Sequence, residues 1–85
     1  MKEFTYTITD AQGIHARPAG ELVKVAKGFN STIKLSKDGK EGDCKKIFGI
    51  MGLGVKQGNE VVFTFDGEDE DAACDAVSKF MQENL

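Results

Sequence analysis

His15 is the only histidine in the chain, and it stands in the run Gly13-Ile14-His15-Ala16-Arg17-Pro18-Ala19. A neutral imidazole nitrogen is a good nucleophile toward phosphorus near neutral pH. Two residues further on, Arg17 offers a planar guanidinium that can grip a phosphoryl group through paired hydrogen bonds. Pro18 suits the first turn of a helix, where a backbone N–H has no partner within the helix. A helix beginning just after His15 would leave the N–H groups of Ala16 and Arg17 free at the positive end of its dipole, which is an anion site. Phosphoryl transfer depends on positioning and charge stabilisation more than on covalent assistance, so His15 and Arg17 are the candidate reacting pair and Ala16 and Arg17 the candidate phosphate binders. No metal motif or nucleotide loop accompanies them, and no cofactor is implied. That combination points to a carrier of phosphoryl groups rather than an enzyme that makes or hydrolyses them. Read from the residues alone, an idle loop histidine beside a solvated arginine stands as the alternative.

The elements that must position this run are legible as periodicities. Ala19, Leu22, Val23 and Ala26 recur at i, i+3, i+4, i+7, one face of a helix, and Gly28 with Phe29 resembles a glycine C-cap with an apolar residue folding back. Lys2 to Thr9 alternates Phe4, Tyr6 and Ile8 with threonines, as a half-buried strand does. Thr32 to Lys37 and Lys40 to Cys44 form a hairpin around Asp38-Gly39, a pair suited to positive φ. Ile47, Ile50 and Met51 have helical spacing, but Gly49 and Gly52 limit that helix to a short one. Val61, Phe63 and Phe65 mark a fourth strand. Glu68 to Asp71 then open a last helix with negative charge at its positive end, and Ala73, Ala76, Val77, Phe80 and Met81 form its buried stripe. The order βαββαβα predicts an α+β fold, an open-faced β-sandwich with a four-stranded antiparallel sheet and three helices on one face, spanning 1–85 as a single domain.

Composition narrows the classes of function. The formal net charge of −3 hides an asymmetry: residues 1–56 carry ten Lys and Arg against six Asp and Glu, whereas 57–85 carry one against eight. A basic region around His15 suits an acidic partner or a phosphate, and the acidic remainder argues against nonspecific nucleic-acid binding. No window approaches the length of a membrane span, so no direct membrane insertion and a cytoplasmic location are expected. Cys44 and Cys74 lie far apart without CxxC spacing and are expected as free thiols, with neither a zinc site nor a disulfide framework.

Several segments together give a family likeness: GIHARPA at 13–19, KGF at 27–29, KKIFGIMGLG at 45–54, QGNEV at 57–61 and GEDE at 67–70. Over nearly all of its length the chain resembles HPr, the histidine-containing phosphocarrier family of the bacterial sugar phosphotransferase system. The resemblance implies that His15 is phosphorylated on Nδ1 by enzyme I, which draws on phosphoenolpyruvate, and that the group passes to IIA proteins or domains of sugar permeases. A monomer is expected. Ile47, Phe48 and Met51 would make an apolar docking patch, with Gly20 and Gly52 within it and Lys24, Lys27, Lys45 and Lys46 ringing it for acidic partners. Ile50 belongs to the core instead. Where Gram-positive members of the family carry a regulatory serine at the start of the short helix, this chain has Lys46.

Three other readings compete. A paralogue of the family with a nitrogen-type regulatory role would have the same site. A ligand-sensing regulatory domain with this element order would give His15 no chemistry. The run Gly49-Ile50-Met51-Gly52 also matches the GxxG loop of a KH-type RNA-binding module, although the acidic charge balance opposes it.

Overall fold

The computed structural model describes residues 1–85. The alternating segments become strands β1 (Lys2–Thr7), β2 (Thr32–Lys37), β3 (Lys40–Asp43) and β4 (Glu60–Asp66). The periodic segments become helices α1 (Ala16–Lys27), α2 (Ile47–Met51) and α3 (Glu70–Asn84). All pairings are antiparallel, in the order β1-β4-β2-β3, so β4 is threaded between the first two strands to form. This is the expected order and architecture, an open-faced sheet backed by helices.

Register decides which side chains meet. Phe4 faces Phe63, which in turn faces Leu35, while Phe65 faces Ile33 and Tyr6 faces Val61. The rings of Phe4 and Phe63 stack at 6.0 Å between centroids, and those of Phe63 and Phe65 at 6.4 Å. Onto this face pack Ala19, Leu22 and Ala26 of α1 and Ala73, Val77 and Met81 of α3, all fully buried. Each large side chain so buried contributes about 1.5–3 kcal/mol relative to exposure. Ala76, expected in the α3 stripe, lies at its margin and is only half-buried.

The ends of elements differ in detail from expectation. β1 stops at Thr7, because the backbone of Ile8 turns to the 55–59 loop, donating to Asn59 O and accepting from Gly58 N. β3 stops at Asp43, whose carboxylate accepts from Lys45 N and whose carbonyl accepts from Lys46 N as the chain bends into α2. Gly28 closes α1 without a left-handed residue: its φ is −73°, and its N–H bonds Val25 O while Phe29 N bonds Ala26 O. Phe29 does fold back against the core, as expected. The hairpin forms as predicted, with φ of 51° at Asp38 and 81° at Gly39.

Both cysteines are free thiols. Cys44 is buried, and that burial, helped by the negative charge of Asp43, pushes its thiol up to about 12. Burial also raises Cys74. Neither is a thiolate at neutral pH.

Glycine matters most where β3 meets α2. A Cβ on Gly42 would lie 2.0 Å from the carbonyl oxygen of Gly49, so the two backbones approach as only glycine allows. Gly49 is therefore used for close packing rather than for an RNA-binding loop.

One polar staple joins the start of α3 to the turn before β2. The Asp69 carboxylate accepts from Asn30 N at 2.8 Å, Ser31 N at 2.9 Å and the buried Ser31 hydroxyl. Those bonds, first the Ser31 hydroxyl and then the Asn30 N–H, hold the Asp69 carboxyl below its ordinary value of 3.8. A lowered folded-state value means stability that is present above the unfolded value and lost as pH falls through the folded one. Asp69→Asn is therefore expected to lower stability at neutral pH, with the gap from the unmodified protein closing below about pH 4. Urea unfolding at neutral and acidic pH measures this, and an equal gap at both would exclude the staple's charge as its source.

Candidate functional site

His15 is the N-cap of α1, with extended backbone at φ −106° and ψ −178°, and its carbonyl accepts the Ala19 N–H at 3.0 Å. The next two N–H groups, of Ala16 and Arg17, precede the first intrahelical donor, and Pro18 has none to offer. Two donors are thus left at the positive end of the α1 dipole, as the spacing of the run predicts. The imidazole is half-buried and uses neither nitrogen in a hydrogen bond within the chain, so it stays available.

The loop that delivers His15 is fastened on both sides. Ile14 N bonds Val55 O at 3.1 Å, and Gly13 N bonds Asp10 O at 2.9 Å. Gly13 has φ +65°, and a Cβ there would lie 2.3 Å from Val55 O, so this turn needs glycine on both counts. Opposite, the backbone oxygen of Leu85 accepts from Thr9 N, Asp10 N and the Thr9 hydroxyl at 2.7, 3.0 and 2.8 Å. Gln57 adds a bond from Nε2 to Thr9 O at 3.1 Å. The placement of His15 therefore depends on residues 40 to 70 positions away in sequence.

A shallow depression of about 190 Å³ opens at His15, lined by Asp10, His15, Arg17, Pro18, Glu21 and Asn84. Asp10, Glu21 and Asn84 are absent from the sequence reading. Glu21 had a legible signal, since it follows Arg17 by four residues on one helix. Asp10 and Asn84 had none, because only the tertiary fold brings the β1–α1 loop and the end of α3 to this place. Arg17 is 89% exposed and leans toward Glu21, with Nε 3.9 Å from Oε1. The guanidinium is therefore turned along the helix.

The candidate docking residues fall on neighbouring surfaces of α1 and α2. A Cβ on Gly20 would meet Ile47 Cδ1 at 3.9 Å, so the middle of α1 abuts the start of α2. Ile47 is half-buried against the core and Ile50 fully buried, whereas Met51 is 38% and Phe48 85% exposed. Gly52 is exposed at the end of α2, and Lys24, Lys27 and Lys46 are exposed as well. Lys45 leaves the expected ring of charge: its ammonium donates to Phe29 O at 2.8 Å and ties the α2 approach to the end of α1. Lys37 has a similar part unseen in the sequence, donating to Leu53 O at 3.4 Å and Gly54 O at 3.1 Å beyond α2.

Phe48 is a large apolar side chain with no place in the core, so Phe48→Ala is expected to change stability by less than about 0.5 kcal/mol. Arg17→Ala should be equally mild, given how little an exposed ion pair contributes. Denaturant midpoints test both, and a loss of several kcal/mol at Phe48 would reassign it to the core.

Comparison with known proteins agrees with this geometry. A family model described as "PTS HPr component phosphorylation site" matches residues 2–83. The phosphocarrier protein HPr of Lysinibacillus sphaericus is 42% identical over 83 residues, 98% of this chain and 94% of that protein. The crystal structure of HPr from Thermoanaerobacter tengcongensis superposes with a TM-score of 0.93 at 43% identity, covering 98% of this chain and 93% of that one. Crh, the catabolite repression protein of Bacillus subtilis, crystallised as a swapped dimer, is 38% identical with a TM-score of 0.79, covering 94% of this chain and 92% of its own. With a nearly full-length family match, close identity and a shared fold, the chain belongs to the HPr family of phosphotransferase-system phosphocarriers.

Proposed function

We propose that this chain accepts a phosphoryl group on Nδ1 of His15 from phosphorylated enzyme I and passes it to IIA proteins or domains of sugar permeases. The observation that carries the reading is an unengaged imidazole at the N-cap of α1, next to two N–H groups with no partner in the chain. In the forward step the nitrogen lone pair attacks phosphorus and the bond to the donor breaks. The charge on the phosphoryl oxygens then meets the Ala16 and Arg17 N–H groups, the α1 dipole and a swung Arg17 guanidinium. Attack by an acceptor on the opposite side of phosphorus reverses the sequence and restores the free ring. The protein is used stoichiometrically and is not itself an enzyme.

Docking is assigned to the exposed Phe48 and Met51, with Ile47 at their base and Gly20 and Gly52 permitting close approach. Lys24, Lys27 and Lys46 give the patch the positive charge that suits an acidic partner. No helix is long and apolar enough to cross a membrane, and the proposed role is that of a cytoplasmic monomer.

Incubation with enzyme I and phosphoenolpyruvate should add one acid-labile phosphoryl group by intact mass, and His15→Ala should abolish it. Uptake by His15→Ala would refute the assignment. Phe48→Ala should weaken binding to enzyme I by about 2 kcal/mol, as expected for an exposed aromatic anchor.

Regulation through the short helix is expected to be missing. Lys46, its N-cap, is exposed and has no hydroxyl to accept phosphate, and it places +1 where phosphoserine would place about −2. The ATP-dependent serine kinase that acts on Gram-positive relatives should leave the chain unmodified, with Lys46→Ser as the positive control. Phosphoserine on the unmodified chain would contradict this.

A further inference from the structure

The phosphate cradle is poorer in positive charge than the sequence run around His15 implies. His15 shares its depression with Arg17, the only Lys or Arg in the lining, but also with the acidic residues Asp10 and Glu21. Asp10 is already engaged: its Oδ1 accepts the Gln12 N–H at 2.8 Å, and its own N–H is held by Leu85 O. Glu21 makes no other hydrogen bond or ion pair, and it is the residue toward which Arg17 Nε points at 3.9 Å. Nothing else in the chain holds the guanidinium, which is 89% exposed. The single basic side chain lining the site thus has two anions to choose between, the Glu21 carboxylate and an incoming phosphoryl group.

We propose that Glu21 is a positioning residue that competes with the phosphoryl group on His15 for the Arg17 guanidinium, so that the carrier holds its cargo weakly and gives it up readily. This rests on the phosphocarrier reading of His15. An α-helix places residues i and i+4 side by side, so Glu21 can reach Arg17 whether or not phosphate is present. At 3.9 Å and with both side chains exposed, the pair is loose and reversible, which suits a competitor better than a lock. A phosphohistidine loses its phosphoryl group through a loose transition state in which electrons move from the phosphoryl oxygens and the P–N bond toward the ring. A guanidinium bound to those oxygens opposes that shift. A carboxylate that draws the guanidinium away therefore speeds departure.

The test loads the full chain with potassium phosphoramidate, in which the P–N bond to ammonia breaks, a P–N bond to His15 forms and ammonia leaves. No protein donor is needed. Decay of the phosphohistidine to inorganic phosphate, by attack of water and return of a proton to the ring, is then followed by phosphorus NMR. Glu21→Gln keeps the size and removes the charge, and decay should slow about threefold, the scale of an exposed ion pair. In an Arg17→Ala background the same substitution should have no effect, because there is no guanidinium to compete for. High salt should shrink the difference between Glu21→Gln and the unmodified chain. A purely structural Glu21 would move the melting temperature and leave this coupling at zero. An unchanged decay rate in Glu21→Gln, or an equal change with and without Arg17, overturns the proposal. Neither result touches whether enzyme I loads His15, so failure here and failure of the phosphocarrier reading are separable.

Discussion

Phe63 and Phe65 on β4 lie fully buried at the middle of the sheet, and the placement of the site follows from that burial. β4 lies between β1 and β2, so its buried face carries the stack with Phe4 and the packing against Ile33 and Leu35. α1 and α3 cover this apolar surface with fully buried residues, Ala19, Leu22 and Ala26 from one and Ala73, Val77 and Met81 from the other. With the axis of α1 set by burial of Leu22 and Ala26, its N-terminus must emerge at one edge of the layer. His15 and the two free N–H groups are carried there.

The site itself contributes little to this packing. His15 is half-buried, Ala16 and Arg17 are exposed, and the free donors are a helix end left uncapped by any side chain. A capping side chain on those N–H groups would add about 1 kcal/mol of stability, but it would occupy the place proposed for the phosphoryl oxygens. The same separation holds at α2, where Ile50 anchors the helix in the core while Phe48, two residues earlier, faces outward. Burial and exposure are divided between neighbouring positions, because a helix turns them to different sides. The loop before His15 is firm for another reason: the backbone N–H groups of Ile14, Thr9 and Asp10 donate to the carbonyl oxygens of Val55 and Leu85.

Much of this is legible in the residues alone. Strand alternation and the i, i+3, i+4 stripes specify all seven elements, because burial against a single apolar layer demands those periods. Asp38-Gly39 specifies its turn through the φ values it permits. The run from Gly13 to Ala19 announces an anion site at a helix start, since the missing N–H of Pro18 and the lone pair of His15 are local properties. Element ends are less legible: Thr7, Asp43 and the right-handed Gly28 depend on which hydrogen-bond partner is within reach.

Only the tertiary structure decides who shares the depression with His15. Asp10 and Asn84 arrive from the β1–α1 loop and the end of α3, 74 positions apart in the numbering, and no local pattern links them. The lean of Arg17 toward Glu21 and the use of Lys45 and Lys37 to tie down the approaches to α2 are likewise choices among several partners within reach of long, flexible side chains. Periodicity reports burial, which is a property of each segment against one shared core. Charge pairing is settled by the few ångströms between segments that packing alone sets.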